Sequence, residues 1–384
     1  MKIQVKMKNL EMISEDYGPR VCEVKTNKSS FMTPTRALSS QEARAYMKTS
    51  TVISPLENPI YEHVTALDMQ EFKQISKKNG TLAEMIAKIN SLKSKHQESK
   101  LTIFFPMRRN RDIQLEKDDM IGIVDLQTLG GFDLVSIPDY WVRTRRPEAV
   151  ARDVDNMFER AAAFGKVGVP YVDADRDLDS FSRHLELLLD RGYPIIGIEY
   201  ASIVNKYANF RVLAEAAKKA EKTVFHMSKT SPYSRSSADG RVSPALFAGL
   251  FGIDSVCVAV LPPMGGSNTR KVDSIRRFTP STAGVMSKVE YEAEGMLRTK
   301  DCGCPVCVGK NIEEFYDVYS HRPSPRTAGR IDAGYLHQVS KVHEVFSSLI
   351  ELEKVQKHIE HSEFKSQYLD KKRDMKDAYT KIPD

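Results

Sequence analysis

Cys302, Cys304 and Cys307 lie within six residues of one another, in the run Cys-Gly-Cys-Pro-Val-Cys. The other two cysteines, Cys22 and Cys257, are far away in the chain. A disulfide framework spreads its cysteines, whereas three thiols this close can share one cation in a reducing compartment. The cytoplasm is therefore the expected location. Three thiolates leave a tetrahedral Zn²⁺ one ligand short. The histidines downstream are His321, His337, His343, His358 and His361. His337, in GYLHQV thirty residues past Cys307, stands at the start of a long helical stretch and is the expected fourth ligand. His321 lies in a proline-rich run, SHRPSPR. A Cys₃His set closes the coordination sphere, so the zinc is expected to be structural and to take no part as a Lewis acid.

A second group of candidates comes from the ends of apolar runs. FDLVSIPD, VGVPYVD, YPIIGIEYA, TVFHMS and DSVCVAVLP read as short buried strands, and between them lie amphipathic stretches such as 147–164, 179–192 and 209–221. That alternation means βαβ units round a parallel sheet. Six to eight units over some 220 residues favour a closed (β/α)₈ barrel, and no GxGxxG follows a strand to argue for a dinucleotide-binding sheet. Catalytic groups of a barrel sit at the C-terminal ends of its strands. The polar residues there are Asp139, Asp173, Glu199 and His226, with Asp254 at the start of the last strand. Several acids at one mouth suit chemistry that develops positive charge, such as cleavage of a glycosidic bond. The run 117–131, which holds Gln127, fits either a helix face or a strand. The chain is expected to divide into a barrel with N-terminal β elements over 1–300 and a zinc-binding subdomain with a helical tail over 301–384.

The rest of the composition narrows the class. The chain has 384 residues, 41% hydrophobic and 28% charged, which is globular and not disordered. No apolar run approaches ~18 residues, so no membrane span is expected. The N-terminus alternates charged with apolar residues and does not read as a signal peptide. A net charge of +6 permits a polyanionic partner. Three basic clusters follow strands on the expected mouth side: Arg108, Arg109 and Arg111; Arg143, Arg145 and Arg146, beside Tyr140 and Trp141; and Arg270 and Lys271, continuing to Arg276 and Arg277. Such a rim suits tracking of phosphates, and an aromatic beside it can stack a flipped base.

With these motifs in order the chain resembles the tRNA-guanine transglycosylase superfamily. The resemblance is carried by CGCPVC with LH thirty residues on, GPRVCEVKTNKSSFMTPTRALSSQEARA, DMIGIVDLQTLGGFDLVSIPD, IGIEYA and ALFAGLFGIDSVCVAVLP, and spans roughly residues 20–360. It implies a zinc-bearing (β/α)₈ barrel that exchanges guanine for a 7-deazaguanine through a covalent aspartyl intermediate. Carried over by position, Asp254 is the nucleophile, Asp139 reads the guanine edge, and Gln127, Glu199 and His226 are further substrate contacts. Departures accompany the likeness. The family's G-x-D-x-x-D becomes GIDSVC, with Cys257 in the second place. Its DSGG-type segment becomes FFPMRRN, which has no acid; Asp112 is the nearest. Its PTR-x-x-R run becomes LPPMGGSNTRK. These resemble the divergent branch that acts on DNA in phages and bacteria, which makes DNA the favoured partner and tRNA the alternative. A noncatalytic paralogue that supports a partner protein, or a homodimer, is the third expectation. A zinc deaminase is disfavoured, since there is no HxE…PCxxC pattern.

Overall fold

The short apolar runs of the sequence close on themselves. The computed structural model describes residues 1–49, 60–67, 83–87, 90, 101–108, 116–139, 147–230, 240–258, 272–320 and 333–382. Three antiparallel strands open the chain: β1 (Ile3–Leu10), β2 (Arg20–Thr26) and β3 (Ser30–Met32). The next eight form a closed parallel barrel: β4 (Thr35–Ser39), β5 (Ile60–Leu67), β6 (Leu101–Arg108), β7 (Leu134–Ile137), β8 (Val167–Asp173), β9 (Ile195–Glu199), β10 (Val224–Thr230) and β11 (Ser255–Val258). The expected (β/α)₈ architecture is thus present. The run STVISPLENP, which reads as a short buried strand stopped by prolines, lies outside the described residues; IYEHVTAL just after it supplies β5.

The ambiguous run at 117–131 is a helix, Lys117–Leu129, opened by a reciprocal cap between Glu116 and Asp119. The helix Leu178–Asp190 shows the local logic of its neighbours. Asp177 caps it by accepting from the Ser180 amide at 2.9 Å, and Phe181, Leu185 and Leu188 recur on its buried face.

The registers fix the barrel's stagger. Ser39 is in register with Glu62, and through it with Ile103, Leu134 and Val167; four residues further along β8, Tyr171 is in register with Gly197, and through it with His226, Ser255 and Thr35. One circuit therefore returns to β4 displaced by eight residues, the usual shear of this architecture, in which interior side chains stack in fours from alternate strands. Lowest are Ile60, Leu134, Ile195 and Ser255. Above them come Ala37, Ile103, Val169 and His226, then Glu62, Ser136, Gly197 and Cys257, then Ser39, Phe105, Tyr171 and Ser228. The lower levels are largely aliphatic, as such cores are. The upper ones are polar, which they ordinarily are not. The N-terminal sheet closes the lower end, where Cys22 and Val24 join the barrel core and Ile3, Val5 and Phe31 pack against it.

Gly197 makes room for the tyrosine above it. A Cβ there would stand 2.5 Å from carbons of the Tyr171 ring, whose hydroxyl meets Ser228 Oγ at 2.7 Å. Gly197→Ala is expected to displace that ring and cost about 1–3 kcal/mol, the usual penalty of overpacking. Urea denaturation of the variant, with the midpoint compared to wild type, checks it.

The chain divides into two compact units. The first, with the barrel, comprises Met1–Ser40, Glu57–Thr230 and Ala248–Ala259. The second draws on Gln41–Leu56, Ser231–Phe247 and Val260–Asp384, and so begins well before residue 301. The segments that follow β4, β10 and β11 leave the barrel and join it. The second unit contains the antiparallel pair β12 (Arg276–Thr279) and β13 (Gly284–Ser287), the helix Ile312–Ser320 and a 28-residue helix, Ala333–Glu360.

Candidate metal centre and barrel mouth

In the second unit the cysteine run folds into a tight knuckle. The Cys307 and Val308 amides donate to the Cys304 carbonyl at 2.9 and 3.0 Å, and the Cys304 amide donates to Cys302 Sγ at 3.3 Å. These turns aim three sulfurs at one point. The fourth group is His343, not His337. Ligand atoms of Cys302, Cys304, Cys307 and His343 all lie within 4.8 Å of one another. Tetrahedral zinc with bonds of about 2.3 Å sets its ligand atoms about 3.8 Å apart, so the set fits.

Helical geometry explains the correction. Leu336, Val339, His343 and Phe346 share the apolar face that packs on the knuckle, together with Val342. His337, six residues before His343, is turned about 240° from it and is half-buried.

The surroundings of His343 suit a ligand. Its Nε2–H donates to the Phe278 carbonyl at 2.8 Å. That leaves the Nδ1 lone pair facing Cys307 Sγ at 3.2 Å and Cys304 Sγ at 3.3 Å. A second-shell carbonyl of this kind fixes both tautomer and ring orientation. Burial disfavours the charged imidazole, yet the Cys307 thiolate outweighs it and raises His343 to about 9. A positive charge is thus drawn to the middle of the cluster, where a metal ion would supply it.

Arg277, read from the sequence as part of the third basic cluster, lies in this interior. It is 2% exposed, donates to Cys307 Sγ at 3.2 Å and pairs with Asp301 at 3.0 Å. Three thiolates and a Zn²⁺ would carry one net negative charge, which the buried guanidinium, shared with Asp301, offsets in part. Arg276 is half-exposed, with Glu290 at 3.8 Å.

In the barrel the acids separate by level. Asp254 precedes β11, at the N-terminal end of the strands, and is 1% exposed. Its Oδ1 accepts from Arg20 Nε and Thr33 Oγ1, both at 3.1 Å; its Oδ2 accepts from the Phe225 amide at 2.8 Å and from Arg20 Nη2 at 2.5 Å. Arg20 spends its other donors on the carbonyls of Ala217, Ala220 and Thr223. A carboxylate saturated in this way, at the closed end of the barrel, is a staple and not a nucleophile.

Gln127 is likewise structural. Its amide bridges the backbone of Ser136, accepting from N at 2.7 Å and donating to O at 2.8 Å, and so clamps its helix to β7.

The remaining acids do reach the mouth. Asp139, just past β7, is buried, accepts from the Asp173 amide at 2.7 Å and is paired with Arg176, with His184 Nδ1 3.4 Å away. Asp173 and Glu199 are register partners at the ends of β8 and β9, both on the strand positions that face the interior. Glu199 pairs with Lys229 at 2.6 Å. Lys229 has φ 63°, where the β10 register shifts against β11, and this bulge turns the end of the strand beside the mouth.

His226 lies deeper than the sequence suggested. Its Nε2 meets Glu62 Oε2 at 2.6 Å and its Nδ1 meets Ser255 Oγ at 2.7 Å. The signal for Glu62 was a charged residue inside a β-branched run. The side chain of Arg108 and the whole of Arg109, Arg111, Arg143, Arg145, Arg146, Arg270 and Lys271 lie outside the described residues, as do Asp112, Tyr140 and Trp141. No helix among the described residues is long and apolar enough to cross a membrane. Comparison with family models and with curated proteins gives no match.

Proposed function

We propose that this chain is a base-exchanging transglycosylase that replaces guanine by a 7-deazaguanine in DNA. The observation that carries the reading is the meeting, in one chain, of a closed parallel barrel with a Cys₃His cluster whose histidine stands on a long helix. The acids at the mouth support it. With Asp254 tied to Arg20, the nucleophile falls to Asp173, which faces inward at the end of β8. Its carboxylate attacks C1′ of the target nucleotide, the base departs, and an incoming base displaces the carboxylate, with retention at C1′. Glu199 and Asp139 stand where the resemblance sets base contacts. Both are already oriented, by Lys229 and by Arg176. The metal, zinc by its ligand set, holds the fold and takes no part in the exchange.

The test offers the purified chain equal amounts of duplex DNA and tRNA with a labelled 7-deazaguanine. Label is expected in DNA, and Asp173→Asn is expected to abolish it while nucleic-acid binding persists. Label only in tRNA moves the protein to the tRNA branch. No label in either polynucleotide overturns the reading.

A further inference from the structure

At the mouth, the carboxylate to which the reading above gives the base edge is already occupied from within the chain. Asp139 has no exposed side-chain surface. Its Oδ2 accepts from the Asp173 amide at 2.7 Å. Its Oδ1 accepts from Arg176 Nη2, which also reaches the Asp139 carbonyl at 3.5 Å. Of this pair only Arg176 meets solvent, with 12% of its side chain exposed. A guanidinium presents coplanar N–H donors side by side, and guanine presents the same pattern on its N1–H and 2-amino edge. Arg176 therefore fills the carboxylate with the donor pattern that a base would bring.

Two features let it leave. The backbone of the turn that bears it is held independently of the guanidinium. Asn209 Nδ2 donates to the Ala174 and Arg176 carbonyls, both at 2.9 Å, and Lys206 Nζ donates to the Asp175 carbonyl at 2.7 Å. Release thus needs rotation of one long side chain and no movement of the loop. Asp139 also keeps partners when Arg176 goes. The Asp173 amide stays on Oδ2, and His184 Nδ1 lies 3.4 Å from Oδ1. Neither ring nitrogen of His184 has a hydrogen-bond partner among the described residues, so the ring can turn an N–H towards Oδ1.

We propose that Arg176 is a self-inhibitory latch on Asp139, an internal stand-in for the edge of guanine that must swing out before a base can be read. The inference rests on the base-exchange reading above and adds a closed state to it. With the latch shut, an entering base must break the Arg176–Asp139 pair, and its apparent affinity is reduced by the fraction of molecules that are open. The latch also selects. A base with adjacent donors returns to Asp139 what Arg176 takes away. A base with an acceptor in that place leaves a buried carboxylate facing a lone pair, and the latch shuts again.

The experiment measures binding of labelled guanine by equilibrium dialysis, and its exchange into duplex DNA, for wild type, Arg176→Ala and Asp139→Asn. Arg176→Ala is expected to bind guanine about tenfold tighter than wild type, which corresponds to a latch open in about one molecule in ten. Asp139→Asn is expected to lose binding. Guanidinium ion, well below denaturing concentrations, is expected to displace guanine from Arg176→Ala and to leave wild type unaffected, because only the variant has the vacant place. Guanine bound by Arg176→Ala no tighter than by wild type overturns the latch, and so does undiminished binding by Asp139→Asn. Guanidinium that improves guanine binding to Arg176→Ala also overturns it, since a merely structural arginine has that signature. In each case exchange by wild type leaves the base-exchange reading intact. Wild type that neither binds nor exchanges guanine overturns both. Should Arg176→Ala fail to fold, Arg176→Gln carries the test: it keeps a neutral N–H donor for Oδ1 and is expected to bind guanine tighter than wild type, and unchanged or weaker binding overturns the proposal.

Discussion

Replacing His343 by Ala is expected to strip the metal and unfold the unit that contains it, whereas His337→Ala leaves both intact. The two histidines stand on one helix, six residues apart, and only His343 reaches the sulfurs. The cluster is the centre of a core that includes Val306, Ile312, Phe315, Tyr316, Leu336 and Val339. Without a cation, the three thiolates repel one another in a dry space, and the His343 imidazolium offsets only part of their charge. The neighbouring sulfurs of Cys302 and Cys307, with burial added, already push the Cys304 thiol above its ordinary range. Structural zinc binding is worth about 10–16 kcal/mol in small zinc domains, more than a domain's whole stability, so metal loss and unfolding coincide. Chelation of wild type and Cys304→Ser should give the same result as His343→Ala. Metal analysis of the purified protein should find one zinc per chain, and circular dichroism should show helix lost on chelation. A metal-free His343→Ala protein that keeps the wild-type spectrum and melting curve would falsify the structural role.

The error over the ligand shows which features are readable in a sequence. The knuckle is a local motif: its three thiols are fixed by spacing alone, and the structure brings all three together. The fourth ligand is chosen by helix phase, and phase is legible only against the whole apolar stripe. Leu336, Val339, Val342 and Phe346 mark that stripe, and a histidine within it, His343, was the signal; proximity to the helix start pointed to the wrong one. The barrel was legible because every βαβ unit repeats one period change, which many residues write redundantly. The level of a residue within the barrel was not. That depends on stagger, a property of eight strands at once. For this reason Asp254, one residue before its strand, was grouped with acids at the opposite end, and Glu62, in a strand that the proline-punctuated run before it obscured, was not singled out.

Asp254→Asn is expected to destabilise the barrel by about 3–5 kcal/mol, the cost of removing one partner from a buried ion pair. Arg20 and Asp254 are both fully buried in their side chains. The guanidinium keeps its charge there because the Asp254 carboxylate outweighs the burial that opposes it. Asn presents one oxygen where two accept now, and its NH₂ would face either Arg20 Nη2 and the Phe225 amide or Arg20 Nε, donor against donor. The damage extends beyond the pair. Arg20 comes from the N-terminal sheet, Thr33 from the approach to β4 and Phe225 from β10, and Arg20 also holds the last carbonyls of the helix Tyr207–Lys219. Four segments distant in sequence are therefore tied at one carboxylate, at the end of the barrel away from the mouth. Equilibrium denaturation in urea measures the loss; a variant within 1 kcal/mol of wild type would show the pair to be dispensable. The same variant separates the two roles assigned to this residue. As a staple, Asp254 can be lost from the fraction that stays folded at low temperature without loss of base exchange per folded molecule. As a nucleophile it cannot, because the carboxylate that forms the bond to C1′ would be gone.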